Sequence, residues 1–214
     1  MTTPAGKAPK QAVEAPAGLP AQLFRDQKAW AAWLQANHSA SPGIWLRIAK
    51  KAADITSVSY AEALDTALCY GWIDGHKKSA DESSYLQRFT PRAVRSTWSK
   101  INCAKALALI ASGDMKAAGL HEIERAKKDG RWEAAYDSQR NIAIPDDLAA
   151  ALAAAPHAQA FFAALDSQNR YAILFRLQTA KKAETRLKRL NTFIAMLERH
   201  ETLHPVRKNQ ARQP

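Results

Sequence analysis

The spacing of apolar side chains divides the chain into an N-terminal half with helices and strands and a C-terminal half that is helical. Apolar residues recur at helical spacing over residues 24–37, whereas residues 44–48 are a short β-branched and aromatic run typical of a strand. Further strands are expected at residues 72–75 and 84–89, joined by a polar loop over residues 76–83. The pattern predicts a small antiparallel sheet accompanied by helices.

A capping box marks the start of the helix between the first two of these strands. Ser59 lies three residues before Glu62, so each side chain can accept the backbone N–H of the other residue. Gly71 follows Tyr70, and glycine is favoured after a helix because it adopts positive φ without strain. These signals predict a helix that begins at Ser59 and ends at Tyr70.

Beyond Trp98 the pattern predicts helices only. Gly113 and Gly119 are expected to bracket a turn, and Trp132 to begin a short helical turn. The predicted helices run from Thr97 or Ser99 to residue 111 and over residues 120–128, 146–155, 157–165, 167–180 and 183–199.

The fold class that follows is α+β. We expect an α+β domain over residues 21–100 and a helical domain over residues 101–200 packed on it. The Ala/Pro/Gly/Lys-rich residues 1–20 are predicted to be a disordered tail, because they cannot bury enough surface to order themselves. Residues 201–214 are a predicted basic tail.

Positive charge is in excess and unevenly distributed. The chain has 31 Lys and Arg against 20 Asp and Glu, a formal charge of +11. Residues 181–214 hold nine basic and three acidic side chains, a net +6, and residues 77–100 hold six and two. This clustering favours an anionic partner such as nucleic acid, a phosphorylated ligand or a lipid surface. The alternative is a solvated, basic face that serves solubility.

Several classes of protein are not indicated. No apolar run approaches the roughly 20 residues of a membrane helix, and the N-terminus has no apolar segment typical of a secretory signal. We therefore expect a cytoplasmic protein without a membrane span. Cys69 fits a buried small hydrophobe, and no Cys/His cluster has zinc spacing. No nucleotide-binding or hydrolase motif is present, so neither a metal, a cofactor nor a catalytic residue is predicted.

The candidate site lies in the hairpin and helix start at residues 72–102. Arginine forks match carboxylate and phosphate groups, and a helix N-terminus also favours an anion. The predicted anion-binding residues are Lys50, Trp72, Asp74, Arg88, Arg92, Arg95, Trp98, Ser99 and Asn102. A second basic surface is predicted on the last helix at Lys181, Lys182, Arg186 and Arg189.

Asp74 and the arginines also have structural interpretations. Asp74 can shape its strand or pair with Arg88 or Arg92 across the hairpin, and the arginines can form salt bridges rather than a site. A general-base role for Asp74 beside His76 is the other possibility, but it needs a nucleophile or metal as well.

The motifs that carry a family resemblance occur in order along the chain. They are Gly71-Trp72-Ile73-Asp74-Gly75, Arg88-Phe89-Thr90-Pro91-Arg92, Ser96-Thr97-Trp98-Ser99, Asn102, Gly113-Asp114-Met115, Ala118-Gly119, Ala126-Lys127, Gly130-Arg131-Trp132, Ala180-Lys181 and Glu184-Thr185-Arg186. On these motifs the chain resembles the YdeI/OmpD-associated family, also called bacteriocin-protection proteins, over residues 23–199.

The resemblance implies an α+β N-terminal part and a helical C-terminal part. It also implies a role in bacteriocin, antimicrobial-peptide or envelope stress resistance, and contact with an outer-membrane porin. The family is described as periplasmic, whereas this N-terminus has no export signal. The expected location therefore stays the cytoplasm, and the porin contact rests on the family name.

The function expected from these observations is a non-enzymatic binding protein with an anionic ligand or protein partner. The first alternative is a nucleic-acid-binding module in which Trp, Tyr and Phe interleave with Arg and Lys. The second alternative is an enzyme of unrecognised class, for which a cleft that holds Asp74, His76 and Arg88 together is required.

Overall fold

The computed structural model of the protein describes residues 18–51 and 53–205. Residues 1–17 of the predicted disordered tail lie outside the described residues. So do residues 206–214 of the predicted basic tail, with Arg207, Lys208 and Arg212.

The sheet has four strands among the described residues. They are β1 (Ala21–Gln22), β2 (Ile44–Ala49), β3 (Trp72–Ser79) and β4 (Ser84–Pro91), in the spatial order β1-β2-β4-β3. The α+β class is confirmed, but the sheet is mixed rather than antiparallel because β1 runs parallel to β2. Periodicity did not predict β1, since a two-residue strand is too short to show any.

Strand β3 extends further than the sequence predicted. Residues 76–79, expected in a loop, continue the strand, and Lys77–Ser79 pair with Tyr85–Gln87 after a bulge that begins at Asp74. The buried Gln87 side chain donates to the carbonyl oxygen of Gly75 at 2.8 Å and so satisfies the backbone where the ladder is interrupted. Polar residues are tolerated there because β3 is an edge strand.

The helices follow the predicted order. They are α1 (Gln27–Asn37), α2 (Tyr60–Cys69), α3 (Lys100–Ala111), α4 (Ala117–Lys128), α5 (Asp146–Ala153), α6 (Pro156–Ala164), α7 (Ser167–Gln178) and α8 (Ala183–Glu198). The capping box of Ser59 and Glu62 is present at the start of α2, and Gly71 adopts a φ of +72° after its end. None of the described helices is long and apolar enough to cross a membrane.

Two features of the helical part differ from the prediction. Trp132 lies in a hydrogen-bonded turn rather than a helix, and its ring packs on Trp98 with centroids 4.8 Å apart. Gly119 lies inside α4 instead of bounding a turn. Glycine is required there because a side chain would collide with the end of α2. Pro156 separates α5 from α6, in agreement with the predicted boundary between residues 155 and 157, and it occupies the first turn of α6, where its missing N–H is not needed.

The described chain forms two compact units. The first contains residues 18–96 and Ala104–Gly130, and the second contains Thr97–Cys103 and residues 131–205. Helix α4, expected in the helical domain, belongs to the first unit through its packing on α2. The predicted domain boundaries themselves stay a prediction.

The core of the first unit is an aromatic cluster centred on Trp30. This indole is fully buried, and its ring centroid lies 5.1 Å from Phe24, 5.4 Å from Trp33 and 5.7 Å from Phe89. Its Nε1 donates to the carbonyl oxygen of Ala63 at 3.0 Å, which ties α1 to α2. The cluster therefore packs two helices against one face of the sheet.

The second unit has a separate aliphatic and aromatic core. It is formed by the inward faces of α5 to α8, with these buried side chains: Leu148, Leu152, Ala158, Phe162, Ile173, Leu174, Leu177, Leu190, Phe193, Met196 and Leu197.

Substitution of Gly119 tests the close approach of α4 to α2. A Cβ at this position would lie 2.5 Å from the carbonyl oxygen of Cys69 and 2.7 Å from that of Leu68. Both atoms belong to backbone that cannot move freely, so Gly119→Ala should lower the free energy of unfolding by about 1–3 kcal/mol despite alanine's higher helix propensity. Urea denaturation measures this loss.

Gly75→Ala is the matched control. A Cβ at Gly75 meets only Arg88, at 3.7 Å, so this variant should unfold close to the wild-type midpoint. Equal midpoints for the two variants would contradict the packing described for Gly119.

Candidate functional site

The two faces of β4 separate the predicted site residues. In the register of the sheet Phe89 lies beside Ile44 and Asp74, whereas Arg88 lies beside Trp45. Successive side chains of a strand point to opposite faces. Asp74 therefore lies on the same face as the buried Phe89, which is the core face, and Arg88 lies on the other face.

Asp74 consequently forms no ion pair with either arginine proposed for it. Its carboxylate accepts a hydrogen bond from the Tyr60 hydroxyl at 2.8 Å. The aliphatic stem of Arg88 lies across Gly75 on the opposite face. A cleft that holds Asp74, His76 and Arg88 together, as the enzyme alternative requires, is therefore not formed.

The arginines after β4 differ in environment. Arg92 is 5% exposed and its backbone N–H donates to the carbonyl oxygen of Gly71 at 3.0 Å, whereas Arg95 is exposed. Arg125 of α4, which sequence reasoning missed, ion-pairs with Glu122 and donates to the carbonyl oxygen of Ala93 at 3.3 Å. Arg125 thus ties this turn to α4, and the two predicted anion-binding residues Arg92 and Arg95 differ in exposure.

Several predicted ligand-binding residues have structural partners instead. Trp72 is 1% exposed and its Nε1 donates to the carbonyl oxygen of His38 at 3.0 Å. In the second unit Trp98 is buried, and the Ser99 hydroxyl accepts the backbone N–H of the half-buried Asn102 at 3.1 Å. Ser99 therefore acts as the predicted cap of α3, and its hydroxyl is occupied by backbone.

The predicted basic surface of the last helix is only partly a free surface. The Arg186 guanidinium binds both oxygens of Asp147, at 2.6 and 2.7 Å, and donates to the carbonyl oxygen of Leu177. Arg189 donates to the carbonyl oxygen of Arg176 at 2.5 Å. Both arginines thus satisfy the C-terminal carbonyls of α7, and the exposed cations are Lys181 and Lys182.

The Arg186–Asp147 ion pair should contribute to the free energy of unfolding. The Arg186 hydrogen bonds hold the pKa of Asp147 below its ordinary value. Because the folded pKa is lowered, the pair stabilises the fold at neutral pH, and this contribution disappears as the pH falls from about 5 towards 2. Asp147 is partly exposed, so Arg186→Ala should lower the free energy of unfolding by roughly 1–2 kcal/mol at pH 7.

Arg199→Ala is the control for this prediction, since Arg199 pairs with Glu201 in an exposed position and should be nearly neutral. Thermal unfolding at pH 7 and at low pH measures both variants. If Arg186→Ala matched Arg199→Ala at pH 7, the structural role of Arg186 would be refuted.

Lys50 and Arg88 lie far apart along the sheet. The backbone N–H of Lys50 bonds to Ser83 at one end of β4, whereas Arg88 pairs with Trp45 near the other. At 3.3 Å per residue the five residues from Ser83 to Arg88 place the two side chains about 17 Å apart along the sheet. They do not border one pocket.

Lys50 instead lines a cleft of about 580 Å³ in the first unit, here called the lysine cleft. It lies between the end of β2, the start of α2, the end of β3 and the start of β4. Its lining consists of Ile48, Ala49, Lys50, Lys51, Ser59, Tyr60, Lys77, Ser79 and Tyr85. The lining holds three ammonium groups and no carboxylate, and none of the described acidic residues forms an ion pair with these lysines.

Neighbouring groups orient two of the three ammonium groups. Lys50 Nζ donates to the carbonyl oxygen of Asp81 at 2.9 Å, and Lys77 Nζ lies 3.8 Å from the centroid of the Tyr85 ring. Hydrogen bonds from Ser84 and Ser83, with Arg47, hold the pKa of Asp81 far below its ordinary value. The Asp81 carboxylate is therefore occupied by Ser83, Ser84 and Arg47 and is not a partner for the lysines of the cleft. Sequence reasoning missed Lys77 because it assigned residues 76–83 to a loop, and it did not single out Tyr85 within the strand predicted over residues 84–89.

A second cavity in the first unit, of about 340 Å³, contains Cys69. Burial, with a smaller contribution from Asp114, raises the pKa of the Cys69 thiol to about 11. The thiol is therefore protonated at neutral pH, and the reactive thiolate is not available.

The fold and the site together define an α+β protein with a basic, carboxylate-free cleft beside the sheet. Residues 141–200 match the family described as "Bacteriocin-protection, YdeI or OmpD-Associated", which confirms the resemblance for helices α5 to α8. Residues 22–122, which contain the lysine cleft, match a model described as a domain of unknown function (DUF8412). No curated protein matches the chain, and no solved structure matches it.

Proposed function

We propose that the protein is a non-enzymatic binding protein whose first unit takes an anionic ligand in the lysine cleft. The observation that carries the proposal is the lining of that cleft, with Lys50, Lys51 and Lys77 around one opening and no carboxylate among them. Like charges in one cleft repel each other, and an anion placed between them relieves this repulsion.

The chemistry of the lining favours a compact anion such as a phosphate group. Lysine presents a point charge with three donors, which suits phosphate without a fixed planar geometry. The hydroxyl-bearing residues Ser79 and Tyr85 belong to the same lining, whereas the Tyr60 hydroxyl is already used by Asp74. Burial raises the pKa of Tyr85, so its phenol remains a neutral hydrogen-bond donor at neutral pH.

The physiological role is proposed from the family description. We place the protein in bacteriocin or envelope stress resistance, acting through an anionic ligand or partner. Direct capture of a cationic peptide is disfavoured, because the chain itself carries a formal charge of +11. The cytoplasmic location and the porin contact stay predictions.

The nucleic-acid alternative is less well supported by the geometry. Stacking of single-stranded bases needs exposed aromatic rings beside the basic residues. Trp45, Trp72 and Phe89, the large rings of the sheet, are 5%, 1% and 0% exposed, and the partly buried Tyr85 ring is already covered by Lys77. The alternative stays a prediction, with a steep fall of DNA affinity on addition of salt as its signature.

Binding of pyrophosphate tests the proposed site. Removal of two of three ammonium groups in Lys51→Ala/Lys77→Ala should weaken binding about tenfold or more, and added salt should weaken it further. Isothermal titration calorimetry measures the dissociation constant. Lys50 is kept because it also holds the Asp81 turn.

Lys78→Ala is the matched control. Lys78 adjoins Lys77 in sequence but points to the other face of the sheet, with Nζ 5.7 Å from the Trp45 ring. It should bind pyrophosphate as the wild type does. Equal losses in both variants would indicate a diffuse charge effect, and absence of binding at low salt would refute the proposed function.

A further inference from the structure

The free edge of β3 is the most exposed regular backbone of the sheet. β3 is the last strand in the spatial order, so it has β4 on one side and no strand on the other among residues 18–51 and 53–205. Residues 75–79 are all exposed, although they are part of the strand. An edge of this kind presents unpaired backbone N–H and C=O groups that can accept a further strand.

The charge of this edge selects what can pair with it. Residues 75–79 contain Lys77, Lys78 and no acidic side chain. In the sheet register Lys77 lies opposite Gln87 and Lys78 opposite Leu86, so the two ammonium groups point to opposite faces. A strand added beside β3 therefore meets positive charge on both of its faces.

We propose that the β3 edge binds an extended acidic polypeptide segment, which adds to the sheet as a fifth strand. The backbone groups of residues 75–79 that neither β4 nor the Gln87 side chain uses supply the hydrogen bonds, and carboxylates of the segment lie beside Lys77 on one face and Lys78 on the other. The same lysines repel a second copy of this basic chain, so the edge discriminates between partners by charge.

This inference is separate from the anion site of the lysine cleft. A small anion in the cleft uses Lys50, Lys51 and Lys77, whereas an added strand uses Lys78 and the backbone edge as well. Lysines on an edge strand also serve to prevent unwanted pairing. If the lysines had that role alone, an acidic peptide would be bound by charge only, and its affinity would not depend on its backbone N–H groups.

The experiment uses the full chain and a capped, fluorescent peptide of Glu, Val and Thr, about eight residues long, the length of a typical strand. Adjacent glutamates at its centre provide a carboxylate on each face. The control peptide has the same side chains and charge, but every central backbone nitrogen is methylated. Fluorescence anisotropy measures binding, and hydrogen exchange reports on the amides of residues 75–79.

Strand addition predicts that the unmethylated peptide binds and protects these amides, and that the methylated peptide binds about tenfold more weakly or not at all. Lys78→Glu should weaken peptide binding about tenfold but leave pyrophosphate binding unchanged. The matched control Lys188→Glu, an exposed reversal on α8, should bind the peptide as the wild type does.

Equal affinity for the two peptides, no binding at low salt, or equal losses in Lys78→Glu and Lys188→Glu would each overturn the inference. Pyrophosphate binding without peptide binding refutes strand addition and leaves the lysine cleft in place. Peptide binding with amide protection, but without pyrophosphate binding, refutes the lysine cleft as an anion site and supports strand addition. The two proposals can therefore fail independently.

Discussion

The burial of Trp30 is the interaction on which the first unit depends. Its ring contacts aromatic side chains from the segment before α1, from α1 itself and from β3 and β4, and its N–H is bonded to α2. A sheet of four strands has little apolar surface, and large aromatic rings supply much of what it buries. The same cluster explains why Trp72 and Phe89 belong to the core although they lie in a strongly basic stretch of sequence.

The aromatic core also determines which charged groups remain available. Covering one face of the sheet with α1 and α2 places Asp74 against Tyr60, and the turn after β4 is held by Arg125. In the second unit the guanidinium of Arg186 is used by Asp147 and Leu177. In the first unit Lys50, Lys51 and Lys77, at the end of β2 and on β3, have no carboxylate partner among the described residues. Arg125 and Arg186, in contrast, are used to bond backbone carbonyls, which suits the directional hydrogen bonding of the guanidinium group.

Local signals in the sequence were sufficient for most elements. The capping box of Ser59 and Glu62, the positive φ of Gly71 and the helical periodicity from α5 to α8 depend on neighbours a few residues apart, and all were confirmed. Elements without such signals were missed. β1 is too short for periodicity, and β3 continues through His76, Lys77 and Lys78 because β4 pairs with it, not because these residues favour strands. That error removed Lys77 from the predicted site.

The sequence alone determined the α+β class, the order of the helices, the basic character of the chain and its resemblance to the YdeI/OmpD-associated family, which the match over residues 141–200 supports. Tertiary structure decided which charges are free. Whether a lysine or arginine is paired depends on carboxylates and carbonyls that are distant in sequence, such as Asp147 for Arg186, and on the face of the sheet to which each side chain points. The lysine cleft arises for the same reason, because pairing of β2, β3 and β4 brings Lys50, Lys51 and Lys77 together although they are separated along the chain.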